Sequence, residues 1–330
     1  MSSAIVSRRP GLLLVLLIAL PAFALGKLWP LLGGAVLGIV LGIGLRHFVG
    51  IRPVHLPGVA FAGKQLLQVA IILLGFGLSL GQVAQTGRET FAVTLVSIVA
   101  ALATAAVLGW LLRIHGKLQI LVGVGTAICG GSAIAAVTPI IKPEQHDTAF
   151  AISTIFLFNL VAVLTFPALG HALGLSELGF GLWAGTAIND TSSVVAAAYA
   201  YSPAAGDYAT VVKLTRATLI IPICLLLALA VAWMQRQHGD FSLRRIFPWF
   251  ILGFLATSAL RSAELVPVAV LPMLQLAAQF LIVMALTAIG LSADLRKMAA
   301  TGARPILLGL GTWIAVAVSS LVAQKLIGQW

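Results

Sequence analysis

Two long apolar segments of this chain are each interrupted by the same kind of polar, glycine-rich break. The breaks read Gly-Thr-Ala-Ile-Cys-Gly-Gly-Ser at 125–132 and Gly-Thr-Ala-Ile-Asn-Asp-Thr-Ser at 185–192. Glycine and small hydroxyl residues are poor in helix interiors but good at helix starts. Unpaired backbone groups cannot face lipid, so such breaks persist at membrane depth only where they line a cavity inside the protein. Paired breaks of this kind indicate a transporter's binding site.

The composition places the chain in the membrane. Of its 330 residues, 60% are hydrophobic and only 9% are charged, which excludes a soluble globular domain and a disordered segment. The net charge of +11 does not indicate nucleic-acid binding, because Lys and Arg collect between apolar segments. The two cysteines, Cys129 and Cys224, lie inside apolar segments and provide neither a disulfide framework nor a metal-binding pattern.

Stretches of about 20 apolar residues predict membrane spans, and we expect an all-α polytopic protein that forms one transporter domain over 1–330. The opening Arg8-Arg9 and the apolar run after it resemble a signal peptide, but the many later spans favour an uncleaved first helix. About eleven segments follow from this criterion: 11–28, 31–48, 57–82, 91–113, 118–140, 147–171, 178–201, 208–234, 246–260, 266–291 and 304–327.

The distribution of basic residues predicts a multi-pass protein with a cytoplasmic amino terminus. The opposite side would carry mainly Lys27, Arg88, Lys142 and Arg261. With that orientation, most bases fall on the cytoplasmic side: Arg8, Arg9, Arg46, Arg52, Arg113, Lys117, Arg236, Arg244, Arg245, Arg296, Lys297 and Arg304.

A second internal match suggests inverted repeats within about 57–140 and 178–327. Gly77-Leu78-Ser79 with Thr86-Gly87 recurs as Gly290-Leu291-Ser292 with Thr301-Gly302. The two Gly-Leu-Ser spans run in opposite directions in this topology, as an inverted repeat requires. The two broken segments fit either as broken crossing helices or as opposed re-entrant hairpins, and the hairpins would move Lys142 to the cytoplasmic side.

Asp190 is the clearest acidic residue deep in an apolar segment. An ionised carboxylate at that depth needs a partner, a bound cation or a proton. We therefore take Asp190 as the candidate site for H⁺ or Na⁺ coupling, and we expect no other cofactor or metal. A helix-capping role at the break is the structural alternative, and the two roles are compatible.

The remaining candidate residues favour an anion. Lys213 and Arg216 lie three apart on one face of the next helix, and either one could pair with Asp190 or contribute positive potential. Helix starts at the breaks would direct free N–H groups and positive dipole ends into the cavity. The candidate substrate-binding set is Thr126, Cys129, Gly130, Gly131, Ser132, Thr186, Asn189, Thr191, Ser192, Ser193, Lys213 and Arg216.

The residues 123–134 and 185–192, followed by Lys213-Leu214-Thr215-Arg216, resemble the UPF0324 (YeiH-like) membrane protein family, also labelled sulfate exporters. The resemblance covers nearly the whole chain. It implies a bacterial inner-membrane secondary transporter, similar in architecture to the cation/proton antiporter and bile-acid symporter superfamily, with core and scaffold domains. By analogy with that architecture, the scaffold surface is a candidate homodimer interface.

These observations predict an alternating-access exporter of a small anion, sulfate or sulfonate-like, bound between the two breaks. A Na⁺- or H⁺-coupled importer of an organic anion would use the same parts in the other direction. An anion channel or a membrane sensor is the alternative from another class. The sequence contains no phosphate-binding loop and no HExxH motif, and Asp190 has no recognisable catalytic or metal-ligand set beside it, so we expect neither an ATP-driven pump nor an enzyme.

Overall fold

The computed structural model describes residues 2–28, 33–114, 116–235, 249–293 and 302–330. Every regular element within these ranges is a helix. Seven helices are long and apolar enough to cross a membrane, and shorter apolar helices accompany them. The chain is therefore an all-α, multi-pass membrane protein.

Fourteen helices are defined in the described ranges. The first four are α1 (Ser2–Leu28), α2 (Gly33–Phe48), α3 (Pro53–Gly77) and α4 (Leu80–Leu111). The central five are α5 (Lys117–Ala127), α6 (Gly131–Ile141), α7 (Gln145–Ala172), α8 (Glu177–Ala187) and α9 (Thr191–Tyr201). The last five are α10 (Pro203–Thr218), α11 (Ile220–Gln235), α12 (Trp249–Ser262), α13 (Leu271–Ser292) and α14 (Ala303–Leu326).

The eleven predicted segments all appear in this order, with shifted boundaries. α4 begins eleven residues before the predicted 91, because the Ser79 side chain caps it in a reciprocal capping box with Gln82. α10 begins at Pro203 because the Ser202 hydroxyl accepts a hydrogen bond from the backbone N–H of Ala205. Several residues used for the orientation and the repeat lie outside the described residues: Arg236, Arg244, Arg245, Arg296, Lys297 and Thr301.

Both broken segments are re-entrant hairpins rather than crossing helices. Lys117, which begins α5, donates from Nζ to the carbonyl of Lys142, just after α6, at 2.6 Å. Tyr201, which ends α9, donates to the carbonyl of Leu175, and its ring stacks on Phe180 in α8 at 4.0 Å. Each arm has 11 residues, or about 16 Å, roughly half of a hydrocarbon core.

The two hairpins enter from opposite ends of the bundle because one long helix, α7, crosses between them. The end that carries Arg52, Arg113, Lys117 and Lys142 is called the basic end here. The second hairpin starts at the other end, where the Ser176 hydroxyl donates to the carbonyl of Trp330 at 2.7 Å. The Lys117–Lys142 contact keeps both residues at the basic end, as the hairpin alternative required.

Close glycine contacts hold α2 against α13. A Cβ on Gly42 would lie 2.5 Å from the carbonyl oxygen of Thr287, and one on Gly290 would lie 2.3 Å from that of Ile39. Small residues let helix backbones approach closely in lipid, where apolar burial does not drive association. α2 and α13 together form one wall of the cavity described below.

We expect Gly290→Ala to destabilise the protein by about 1–3 kcal/mol, because the added methyl must displace the α2 backbone. Gly44→Ala is the matched control, since a Cβ there meets no atom within 4 Å. Thermal unfolding of the purified protein in detergent measures both variants. Equal melting temperatures for Gly290→Ala and the wild type would contradict the close packing of α2 on α13.

Candidate functional site

The two hairpin tips are non-helical turns of three residues each. In the first tip, Gly130 caps α6 with a φ of +66°, which only glycine adopts without strain. Its N–H donates back to the carbonyl of Gly125 at 2.8 Å. In the second tip, Ile188 is extended, and Asp190 is the extended N-cap residue of α9. Both predicted breaks are therefore genuine ends and restarts of helices.

The two tips touch each other. A Cβ built on Gly130 would lie 3.6 Å from both the Cβ and the backbone nitrogen of Asp190. Ile155 of α7 packs on the same glycine position at 3.2 Å. The hairpins thus meet near the middle of the bundle, as the sequence predicted.

Lys213 joins the two tips. It is fully buried, and its Nζ donates to the carbonyl of Ile128 and to the carbonyl of Ile188, both at 2.9 Å. Each carbonyl follows the last residue of a hairpin's first arm. One ammonium group therefore binds equivalent backbone atoms in both hairpins.

Arg216, one turn further along α10, holds the first hairpin alone. Its Nε donates to the carbonyl of Ala127 at 2.8 Å, and its Nη2 donates to that of Thr126 at 2.7 Å. The last carbonyls of a helix are unpaired and carry its negative dipole end, so buried cations are suitable partners for them. The Nη1 atom of Arg216 is buried without a hydrogen-bond partner.

Asp190 has the capping role that the sequence analysis gave as an alternative. Its Oδ2 accepts from the backbone N–H of Ser192 at 3.0 Å and also contacts the Ser192 hydroxyl. Its own N–H donates to Oδ1 of Asn159 in α7 at 3.3 Å. Among the ion pairs of the described residues, none joins Asp190 to Lys213 or Arg216 within 4 Å. Coupling through Asp190 stays a prediction, compatible with this capping.

A cavity of about 420 Å³ lies between α7 on one side and the wall formed by α2, α3 and α13 on the other, and the second hairpin contributes Ser193 to its lining. Its inner end reaches Ser193 in the first turn of α9 and Asn159, the partner of Asp190. Its other lining residues include Ser292 and Ala293 at the end of α13. The cavity thus extends from the second hairpin tip toward the basic end.

The structure places the predicted substrate-binding residues in three environments. Ser193 lines the cavity, and Asp190 lies three residues before it. Gly131 and Ser132 face open space at the start of α6, outside that cavity. The others are buried at or beside the tips: Thr126, Cys129, Gly130, Thr186, Asn189, Thr191, Ser192, Lys213 and Arg216.

Hydrogen bonding separates the buried residues further. The Thr186 hydroxyl donates within its own helix to the carbonyl of Leu182 at 2.7 Å. By contrast, Thr126 Oγ1 and Asn189 Oδ1 are buried without partners. Buried polar atoms of this kind are uncommon in folded proteins and often mark functional positions. Direct binding of substrate by Lys213 or Arg216 stays a prediction, although three of their four side-chain nitrogen atoms donate to backbone carbonyls.

Sequence reasoning missed two cavity residues, Asn159 and Lys64. Lys64 lies within the apolar segment predicted at 57–82, and an ionisable residue in a span is a functional candidate by default. That rule would have found it. Asn159 is a single amide among apolar residues, and the sequence alone does not show that it contacts the second hairpin.

The charges around the tips favour a negative ligand. Two buried bases and one carboxylate leave a formal charge of +1 there. Both bases offset the negative dipole ends of α5 and α8. The positive dipole ends of α6 and α9 are offset only by the carboxylate of Asp190, which caps α9. The formal charge at the tips is therefore positive, which is compatible with the predicted anion.

We expect Lys213→Met to destabilise the protein by roughly 2–4 kcal/mol, because two buried carbonyls lose their donor. It should also accelerate the reaction of Cys129 with a thiol reagent, since Cys129 lies in the first tip and is only 6% exposed. Melting curves and labelling rates, both in a Cys224→Ser background, measure these effects. Lys325→Met, at an exposed lysine of α14, is the control. Unchanged Cys129 labelling in Lys213→Met would show that Lys213 does not hold the tips together.

Comparison with known proteins identifies relatives over the whole fold. A family described as "Conserved hypothetical protein 698" matches residues 10–309. A UPF0324 membrane protein of Streptococcus pyogenes serotype M18 is 46% identical over 333 residues, covering 97% of this chain and 98% of the relative. Another from Fusobacterium nucleatum is 41% identical over 338 residues, covering 96% and 98% respectively. Both hairpins lie inside the matched region, and the chain belongs to the UPF0324 membrane protein family.

Proposed function

We propose that this protein is a secondary transporter of a small anion that works by alternating access, with sulfate and sulfonates as first candidates. The observation that carries the proposal is the meeting of two opposed hairpin tips beside a cavity that extends toward only one end of the bundle. Opposed half-helices at the membrane midplane are the usual construction of a transporter's substrate site.

The basic end faces the cytoplasm of a bacterial inner membrane in this proposal. The positive-inside rule supports it, because Arg52, Arg113, Lys117 and Lys142 occupy connections at that end. The cavity then corresponds to an inward-facing state. Export begins with an anion entering from the cytoplasm, and the importer alternative would end with release at the same place.

Binding would place the anion at the start of α9, next to Ser193 and Asn159. Asp190 already accepts from the Ser192 N–H at this helix start, so the start would contribute chiefly its positive dipole end, and the formal +1 charge of the tips would add attraction. Lys213 ties both tips to α10, so the two hairpins would move as one body. Movement of that body against the wall of α2, α3 and α13 would transfer the anion across.

Asp190 is the proposed coupling residue. Its carboxylate is half-buried, and its backbone N–H donates to Asn159 of the cavity lining, so a change in the carboxylate charge would act close to the place where the anion would bind. Binding of H⁺ or Na⁺ there lowers the repulsion between the carboxylate and an incoming anion. Binding of the cation at Asp190 would thereby favour binding of the anion, and no catalytic step is required.

We expect Asp190→Asn to abolish gradient-driven anion flux while preserving the fold, because Asn caps helices about as well as Asp. Uptake of radiolabelled sulfate and of a sulfonate into proteoliposomes, under a pH gradient and then a Na⁺ gradient, measures this. Asp190→Ala separates the two roles, since it should also cost about 1 kcal/mol of stability through the lost cap. Glu144→Gln, an exposed carboxylate before α7, is the control.

Saturable flux with counterflow in the wild type would support a carrier. Conductance that does not saturate would support the channel alternative instead. Unchanged coupled flux in Asp190→Asn would remove the coupling role from that residue. Absence of flux for sulfate, sulfonate and carboxylate alike would overturn the proposed transport of a small anion.

A further inference from the structure

Lys64 is the one charged residue among the described residues that line the cavity. Its side chain is exposed rather than buried. It lies eleven residues into α3, or about 16 Å from the basic end, which is the same depth as the hairpin tips. A charged side chain near the membrane centre costs roughly 2.5–3.5 kcal/mol. That cost is lowered where the side chain faces an aqueous cavity.

The backbone around Lys64 is also unusual. Residues Ala62–Leu66 form a π-helical turn within α3, and such turns occur frequently at functional sites. Next to the lysine, Gly63 packs against α13, where its Cβ would lie 3.5 Å from Ile289. Glycine on one side and lysine on the other let the same turn contact α13 and still present a cation to the cavity.

The rest of the cavity lining is neutral and mostly apolar. Twelve of its seventeen residues are apolar, and Ile39, Ile43 and Phe156 are among the larger ones. The other polar residues are three serines and Asn159. No carboxylate belongs to this lining set, so the charge of Lys64 has no acidic partner among the described lining residues.

On these grounds, and resting on the proposed function, we propose that the cavity takes a monoanionic organic acid. Its sulfonate or carboxylate group pairs with Lys64, and its apolar part lies against α2 and α7. One lysine neutralises one negative charge. A sulfate dianion paired with Lys64 would retain one negative charge against a mostly apolar lining, which costs more than placing a neutralised monoanion there. A volume of about 420 Å³ also accommodates more than an inorganic ion.

Calorimetric titration of the purified full chain at constant ionic strength tests this, with sodium sulfate, sodium 1-butanesulfonate and sodium butyrate as probes. We expect at least one of the two organic anions to bind at least about tenfold more tightly than sulfate. Lys64→Gln should weaken that binding by about tenfold or more, as expected for a lost charge-assisted hydrogen bond. Lys64→Arg should retain it. Arg52→Gln, which removes one exposed charge near the same end, is the matched control.

Chemical rescue guards against a folding artefact. Lys64→Cys should bind poorly, recover after reaction with 2-aminoethyl methanethiosulfonate, which restores an ammonium group, and stay poor after reaction with the sulfonated analogue. Treated wild type controls for Cys129 and Cys224. Recovery by the cationic reagent alone supports a direct electrostatic role.

The inference is overturned if sulfate binds more tightly than both organic anions, if none of the three binds, or if Lys64→Gln binds like the wild type. Its failure is distinguishable from that of the proposed function. If wild type in proteoliposomes exchanges an anion but Lys64→Gln exchanges it equally well, only the role of Lys64 is lost. If the wild type exchanges no anion, the transport proposal itself fails.

Discussion

The hydrogen bonds from Lys213 and Arg216 to the hairpin carbonyls are the interaction on which the site depends. A helix that ends inside a membrane leaves carbonyl groups that neither lipid nor, in a buried place, water can satisfy. Here four such carbonyls receive donors from two side chains on one face of α10. Because the Lys213 ammonium binds both hairpins, neither tip can shift alone without leaving a buried carbonyl unpaired.

This use of the two bases also explains the polarity of the site. At each tip, the first arm ends in backbone carbonyl groups and the second arm begins with backbone N–H groups. Lys213 and Arg216 bind only the carbonyl groups. The N–H ends remain at the starts of α6 and α9, where Asp190 caps one of them and Ser193 reaches the cavity. The bases thus stabilise the backbone geometry of the two tips, beside which the proposed anion would bind.

The hydropathy of the chain and the glycine and hydroxyl residues at the two breaks were sufficient to predict the order of the segments and the meeting of the two tips. The choice between hairpins and crossing helices was not predictable, because an arm of 11 residues reaches the midplane in either case. Only contacts distant in sequence, such as Lys117 with Lys142, distinguish the two.

The partners of Lys213 were missed for a related reason. Spacing shows which residues share a helix face, but Asp190 is satisfied locally by Ser192, and the lysine binds carbonyls instead.

Aromatic side chains join the second hairpin to the neighbouring helices. Trp183 of α8 stacks on Phe166 of α7 at 4.0 Å, and Phe166 in turn stacks on Trp313 of α14 at 5.7 Å. These rings join the hairpin to α7 and α14, and Lys213 joins it to α10 and the first hairpin. The cavity lies between α7 of this assembly and α2, α3 and α13, while α9 packs directly on α2 and α13. In the proposed alternating access, the assembly would therefore slide along these three helices, and neither hairpin would open. Such sliding would carry Ser193 past Lys64, so an anion held by both would be released when the two residues separate.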